Sequence, residues 1–158
     1  MTSLKDGVVT AASGGIGDAM VRTMLTDPIL DRVFAVSRAK EAPKDLRNNG
    51  KLNWIQCDYS SGDIARTANR LLSMNCNLVM GTICNGILHD NDTKPEKRMD
   101  DIKEETLNKM FTANAIVPIL WVKELTKVFS KRDICSIAVL SARVGSISDN
   151  RLGGWYSY

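Results

Sequence analysis

The chain has 158 residues, 44% of them hydrophobic and 25% charged, with a formal net charge of +3. That is one domain with a substantial core, and a charge so small and mixed argues for no nucleic-acid partner and no membrane-surface partner. A single histidine, His89, and four cysteines without CxxC spacing exclude a paired Cys/His zinc site, so no metal is expected. The opening residues, Met1 to Asp6, carry no apolar signal segment, and no run reaches the length of a membrane span. The cysteines lie in or beside strand-like runs, where the free thiol behaves as a small hydrophobe. A reduced, cytoplasmic setting is the expectation.

In chain order, the first predicted strand is residues 7–10, and the first helix is 15–26, stopped by Asp27-Pro28. Between them runs Thr10-Ala11-Ala12-Ser13-Gly14-Gly15-Ile16-Gly17, a cluster of small residues and glycines. Ile16, Met20, Val21, Met24 and Leu25 follow at helical spacing. Such a strand–glycine turn–helix lets the backbone approach a ligand closely and aims free N–H groups at a phosphate. The glycines alone would also serve a plain tight connection.

Residues 33–36 form a continuous apolar strand ending in Ser37-Arg38, and residues 39–50 read as a charged loop. A third strand, 52–57, ends in Asp58. A helix starts at Ser60 to Asp63, with Ile64, Ala68, Leu71 and Leu72 as its apolar face, and closes at Asn75. The fourth strand begins at Leu78 and runs to Cys84-Asn85-Gly86; residues 89–95 are polar loop, with His89 near the mouth of any site. Residues 102–111 read as a helix and 114–129 as another or its continuation, with Pro118 in its first turn. This second helix is apolar almost all round, and the surplus suggests a homo-oligomer formed through it. Residues 134–140 form a fifth strand ending at Ser141. The basic clusters at Lys94, Lys97 and Arg98 and at Lys131 and Arg132 read as solvated surface.

Strands alternating with helices over short connections predict an α/β doubly wound parallel sheet, a Rossmann fold, spanning residues 1–158 as a single NAD(P)-binding domain. In such sheets the ligand lies beyond the carboxyl ends of the strands. Those ends here are Thr10 to Gly17, Ser37-Arg38, Asp58, Asn85-Gly86 and Ser141, every one polar or glycine.

These residues carry a resemblance to the short-chain dehydrogenase/reductase (SDR) family, and among its members the chain is similar to C-factor-type proteins. The family's opening turn, TGxxxGxG, falls on Thr10 to Gly17, with Ala11 where the first glycine is usual. Its NNAG motif falls on Ile83-Cys84-Asn85-Gly86, with Gly86 kept. The resemblance implies that Thr10, Ser13, Gly14, Gly15, Ile16, Gly17, Ser37, Arg38, Asp58, Asn85 and Gly86 bind the cofactor, with Asp58 against the adenine amino group. It implies catalytic roles for Asn114, holding a water in a proton relay, and for Ser141, polarising a carbonyl. The family's active-site tyrosine falls on Tyr158, with Tyr156 as the alternative, and Ser146 to Asn150 reads as an inserted loop.

For both tyrosines the family's lysine, four positions on, lies beyond residue 158. The expectation is therefore a fragment, incomplete at its C-terminus and nearly inactive as it stands. A free phenol titrates near ~10, and nearby positive charge is what brings it toward the working pH. Where NAD-binding folds place a carboxylate after the second strand, this chain has Ser37-Arg38, which favours NADP(H) over NAD(H). The implied function is an NADP(H)-linked oxidoreductase acting on a small carbonyl or alcohol. A non-catalytic nucleotide-binding regulatory protein of the same fold is the alternative.

Overall fold

The computed structural model describes residues 4–91, 93–149, 151 and 153–158. The opening residues 1–3, Asp92 of the polar loop and Asn150 of the inserted loop lie outside the described residues. The described chain alternates β1 (Asp6–Thr10), α1 (Gly15–Thr26), β2 (Arg32–Ser37), β3 (Leu52–Gln56), α2 (Ser61–Ser73) and β4 (Leu78–Ile83). It continues through α3 (Glu104–Phe111), a π-helical turn (Thr112–Ile116), α4 (Val117–Leu125) and β5 (Ser136–Val139). The strands form one parallel sheet in the order β3-β2-β1-β4-β5. The chain thus winds outward from β1 through β2 and β3, then crosses to β4 on the other side. That reversal makes the crevice between the ends of β1 and β4 the natural ligand site of a doubly wound sheet.

The apolar strands have two faces to fill, and both are filled. Val8, Phe34, Val36 and Ile55 pack with Ile64, Ala68 and Leu71 of α2 and Trp121 and Leu125 of α4. Val9, Val33 and Ala35 pack on the other face with Val21, Met24 and Leu25 of α1 and with Leu30. Neighbours in one strand point to opposite cores, the two-residue period of extended chain. At the edge opposite the strand carboxyl ends, fully buried Asp6 accepts hydrogen bonds from Arg32 Nε (2.8 Å) and Nη2 (2.7 Å) and from the Asn77 N–H (2.8 Å).

Three details differ from the sequence expectation. Leu72 is exposed and Thr67 takes its place on the buried face of α2, because positions 64, 67, 68 and 71 make the tighter helical stripe. Ile16 is 61% exposed, since the first turn of α1 overhangs the crevice, and Gly17 is the buried residue there. Residues 114–129 are not one helix. Residues 112–116 are the π turn, and α4 ends at Leu125 because the following chain pairs with β4. The Leu78 N–H donates to Val128 O (3.4 Å), the Ser130 N–H donates to Leu78 O (2.8 Å), and Phe129 fills the space over Gly81. The apolar excess is correspondingly narrower: Phe111, Ile116 and Ile119 are exposed, while Trp121 and Leu125 belong to the core. Among the described residues no helix is long and apolar enough to cross a membrane.

Candidate functional site

The turn after β1 is built on close backbone approach. Ala11 has φ +52°, a left-handed conformation that costs a residue with a Cβ about 1–2 kcal/mol. This is the physical reason a glycine suits the position, and the structure absorbs the cost with two bonds. The Ala12 N–H donates to Val36 O (3.0 Å) and the Gly14 N–H donates to Ala11 O (3.0 Å). Gly14 is the N-cap of α1 and no side chain caps that helix. Its first-turn N–H groups and dipole end are therefore available to an anion. A Cβ on Gly15 would meet nothing within 4 Å, so open space lies over this turn.

Hydroxyls brace the turn from both sides. Ser37, fully buried, donates its hydroxyl hydrogen to Ser13 Oγ (2.7 Å) and accepts the Ala39 N–H (3.0 Å). It faces the turn rather than solvent. At the crevice floor buried Thr10 donates to Asn85 Oδ1 (2.6 Å), tying the end of β1 to the end of β4.

Asn114 sits at the centre of the π turn and reaches across to the chain leaving β4. Its Oδ1 accepts the Ile87 N–H (2.7 Å) and its Nδ2 donates to Ile87 O (2.9 Å). A Cβ on Gly86 would stand 3.3 Å from Asn114 Oδ1, so glycine keeps this contact open. Pro118 lacks the N–H that an α-helix would offer the Asn114 carbonyl. A π turn is a frequent mark of functional sites, and here it turns the Asn114 side chain onto Ile87.

These pieces enclose a cleft of about 390 Å³ at the carboxyl ends of β1, β4 and β5. Ile16, Asn85, Gly86, Asn114, Ser141 and Tyr158 all line it, arriving from five separate segments. Tyr156 does not line it and is 44% exposed. His89 is exposed on the loop after β4, and Leu88 reaches the cleft instead. Cys84 also lines the cleft, and burial pushes its thiol pKa up, away from the reactive thiolate. Among the described residues no group of three His, Cys, Asp or Glu side chains is placed to hold a metal ion.

Arg38 and Asp58 follow the carboxyl ends of β2 and β3 and do not line that cleft; Asp58 lines a separate depression with Tyr59 and Asn108. Arg38 is exposed, its guanidinium carbon 5.9 Å from the centroid of the Tyr59 ring. Nearby Arg22 is committed to Asp18 (2.7 Å) and Asp45 (2.6 Å), and Arg47 to Glu41 (2.6 Å). No carboxylate among the described residues pairs with Arg38. Asp58 is exposed, and its Oδ1 accepts the Ser60 N–H (2.7 Å). The Ser60 hydroxyl and N–H hold its carboxyl below the usual carboxylate range.

Tyr59 was not singled out by sequence reasoning, although its place at the end of β3, next to Asp58, was the available signal. Burial pushes its phenol up to about 12, and its hydroxyl donates to Val36 O (3.4 Å).

No protein-family model and no curated protein sequence matches the chain. Solved structures do. The NADPH-bound carbonyl reductase from chicken fatty liver superposes over 94% of this chain and 61% of its own, with a TM-score of 0.80 at 19% identity. The carbonyl reductase Sniffer of D. melanogaster covers 98% of this chain and 68% of its own, with a TM-score of 0.84 at 18% identity. A short-chain dehydrogenase from Streptomyces avermitilis covers 93% and 52%, with a TM-score of 0.77 at 21% identity. At these identities the likeness is one of fold: the chain has the Rossmann-type architecture of the short-chain dehydrogenases/reductases. It spans about three-fifths of the length of the chicken enzyme and about half that of the Streptomyces protein.

Proposed function

We propose that this chain is a short-chain dehydrogenase/reductase that binds NADP(H) and transfers hydride between the nicotinamide and the carbon of a small carbonyl or alcohol. The observation that carries the reading is the convergence of Asn114, Ser141 and Tyr158 on one cleft that Ile16 of the glycine turn also lines. A nicotinamide nucleotide fits the residues present. The uncapped N-terminus of α1 and the open space at Gly15 suit a pyrophosphate, and Ile16 offers an apolar surface at the inner end. The bound cofactor supplies or takes up the hydride. Tyr158 donates the proton to the carbonyl oxygen in the reducing direction, and the Ser141 hydroxyl polarises that carbonyl. Asn114 spends its side chain on Ile87, so the relay water expected at this residue falls to its main-chain carbonyl, which Pro118 leaves without its α-helical donor.

The preference for the 2′-phosphate rests on Arg38. It stands at the end of β2 with no carboxylate partner among the described residues, its guanidinium carbon 5.9 Å from the Tyr59 ring centroid, and can meet a phosphate as a bidentate donor. Fluorescence titration tests this. NADPH should bind at least about tenfold tighter than NADH, about 1.4 kcal/mol, and Arg38→Ala should erase most of that gap. Equal affinities in the unsubstituted protein would exclude the NADP(H) reading.

The exposed Phe111, Ile116 and Ile119 suit a homo-oligomeric contact across the π turn and α4. Sedimentation under native conditions should then show a dimer or larger species, converted to monomer by Ile119→Glu. A monomer at tens of micromolar would remove this part of the proposal.

A further inference from the structure

The turn that carries Tyr158 is strained. Gly153, Gly154 and Trp155 have φ of +64°, +76° and +55° in succession. For a residue as bulky as tryptophan a left-handed φ is uncommon and persists only where its surroundings over-determine it. The surroundings that do so come from the loop between β4 and α3, at a single residue. The Trp155 N–H donates to the Glu96 main-chain carbonyl (2.7 Å), and the Ser157 N–H donates to Glu96 Oε2 (3.3 Å). A Cβ on Gly154 would stand 3.1 Å from the Glu96 carbonyl oxygen, so glycine is what lets the two segments close. Trp155 then passes the constraint on. Its carbonyl accepts the Tyr158 N–H (3.1 Å), and the two rings meet edge to face with centroids 6.1 Å apart.

Glu96 itself is only 3% exposed, and its Oε1 is buried without a hydrogen-bond partner. Glutamates are almost never buried so fully unless paired. Burial pushes its carboxyl up, but the Ser157 hydroxyl, its own main-chain N–H and the Ser157 N–H together outweigh that and leave it below the usual carboxylate range. A solvated loop glutamate has no reason to accept such a place.

We propose that Glu96 is the positioning residue of Tyr158: its carbonyl and carboxylate clasp the N–H groups of Trp155 and Ser157 and so hold the phenol in the cleft beside Ser141. The proposal rests on the reading of Tyr158 as the proton donor. Glu96 does not line the cleft; its hydrogen bonds go to Trp155 and Ser157, and it acts through the turn.

The test uses Glu96→Ala, Glu96→Gln and Gly154→Ala in the full chain. The readouts are carbonyl reduction with NADPH, NADPH affinity, and the 13Cζ resonance of Tyr158, assigned with Tyr158→Phe. Glu96→Ala should lower kcat at least about tenfold while the NADPH Kd stays within about twofold, because the clasp's hydrogen bonds go to Trp155 and Ser157 and not to the glycine turn. Glu96→Gln keeps an acceptor for Ser157 and should recover most of that loss. Gly154→Ala should mimic Glu96→Ala from the other side of the contact. The Tyr158 resonance should move toward its random-coil value in both disrupting variants while that of Tyr59 stays put. An unchanged Tyr158 resonance and kcat in both would overturn the proposal, as would loss of the whole fold in both, which would make Glu96 a general stabiliser. If the unsubstituted chain shows no measurable turnover, the Tyr158 resonance decides the clasp by itself, separately from the reductase reading.

Discussion

Gly17→Ala is expected to destabilise the protein by about 2 kcal/mol or more and to abolish nucleotide binding, although alanine is the better helix former by about 1 kcal/mol. The sign is decided by what the new methyl would meet. Its Cβ would lie 2.2 Å from the Ala11 carbonyl oxygen, 2.8 Å from the Ala11 carbonyl carbon and 3.0 Å from Ala12 Cα. All three are backbone, and Ala12 is pinned to Val36 by a 3.0 Å hydrogen bond. No side chain can swing aside, so α1 must lift off the end of β1. Lifting it carries the first-turn N–H groups away from where a pyrophosphate would sit, so stability and affinity fall together. Gly15→Ala separates the two effects, since its methyl meets nothing in the protein. It should keep the urea midpoint and weaken NADPH alone. A Gly17→Ala midpoint equal to that of the unsubstituted protein would refute the close-approach account. Ala11→Gly runs the other way. Relief of the φ of +52° opposes the extra backbone entropy of glycine, and the net should be a small gain.

The sheet and the glycine turn were legible because both are periodic or compositional. Strands buried on two faces read as apolar runs, and the predicted bounds of α1, residues 15–26, coincide with those observed. What stayed hidden was the use each polar residue makes of its neighbours. Ser37 was legible as a strand-end polar residue, but that its hydroxyl is spent on Ser13 depends on a contact across 24 residues. The π turn was equally illegible. Residues 112–116 read as a helix break or continuation, and only the packing of Asn114 on Ile87 decides which. The end of α4 at Leu125 was missed because Val128 and Phe129 are apolar enough to continue a helix, while residues 128–130 bond to Leu78 of β4 instead. Glu96 gave no signal, since a glutamate in a polar loop looks like any solvated one.

Tyr158→Phe is expected to leave the fold and NADPH affinity intact while lowering carbonyl reduction by about 10² to 10⁴ wherever a nearby positive charge tunes the phenol, the usual worth of a positioned general acid. Phenylalanine keeps the edge-to-face contact with Trp155, and the Tyr158 N–H bond to Trp155 O belongs to the backbone, so the ring should not move. What is removed is the hydroxyl alone. Tyr156→Phe is the matched control: its ring is half exposed and outside the cleft, and turnover should change by less than about twofold. Ser141→Ala should join the large-effect class, because the serine lines the same cleft and carries the other hydroxyl that can face a carbonyl oxygen. If proton donation and polarisation act on one oxygen, the double variant Ser141→Ala with Tyr158→Phe should fall little further than the worse single one, since residues that act as a unit are strongly non-additive. Full additivity would place the two hydroxyls on different steps. Binding draws on the glycine turn and Arg38 while turnover draws on Ser141 and Tyr158, so Arg38→Ala should raise the NADPH Kd and Ser141→Ala should lower kcat, neither variant showing the other's effect.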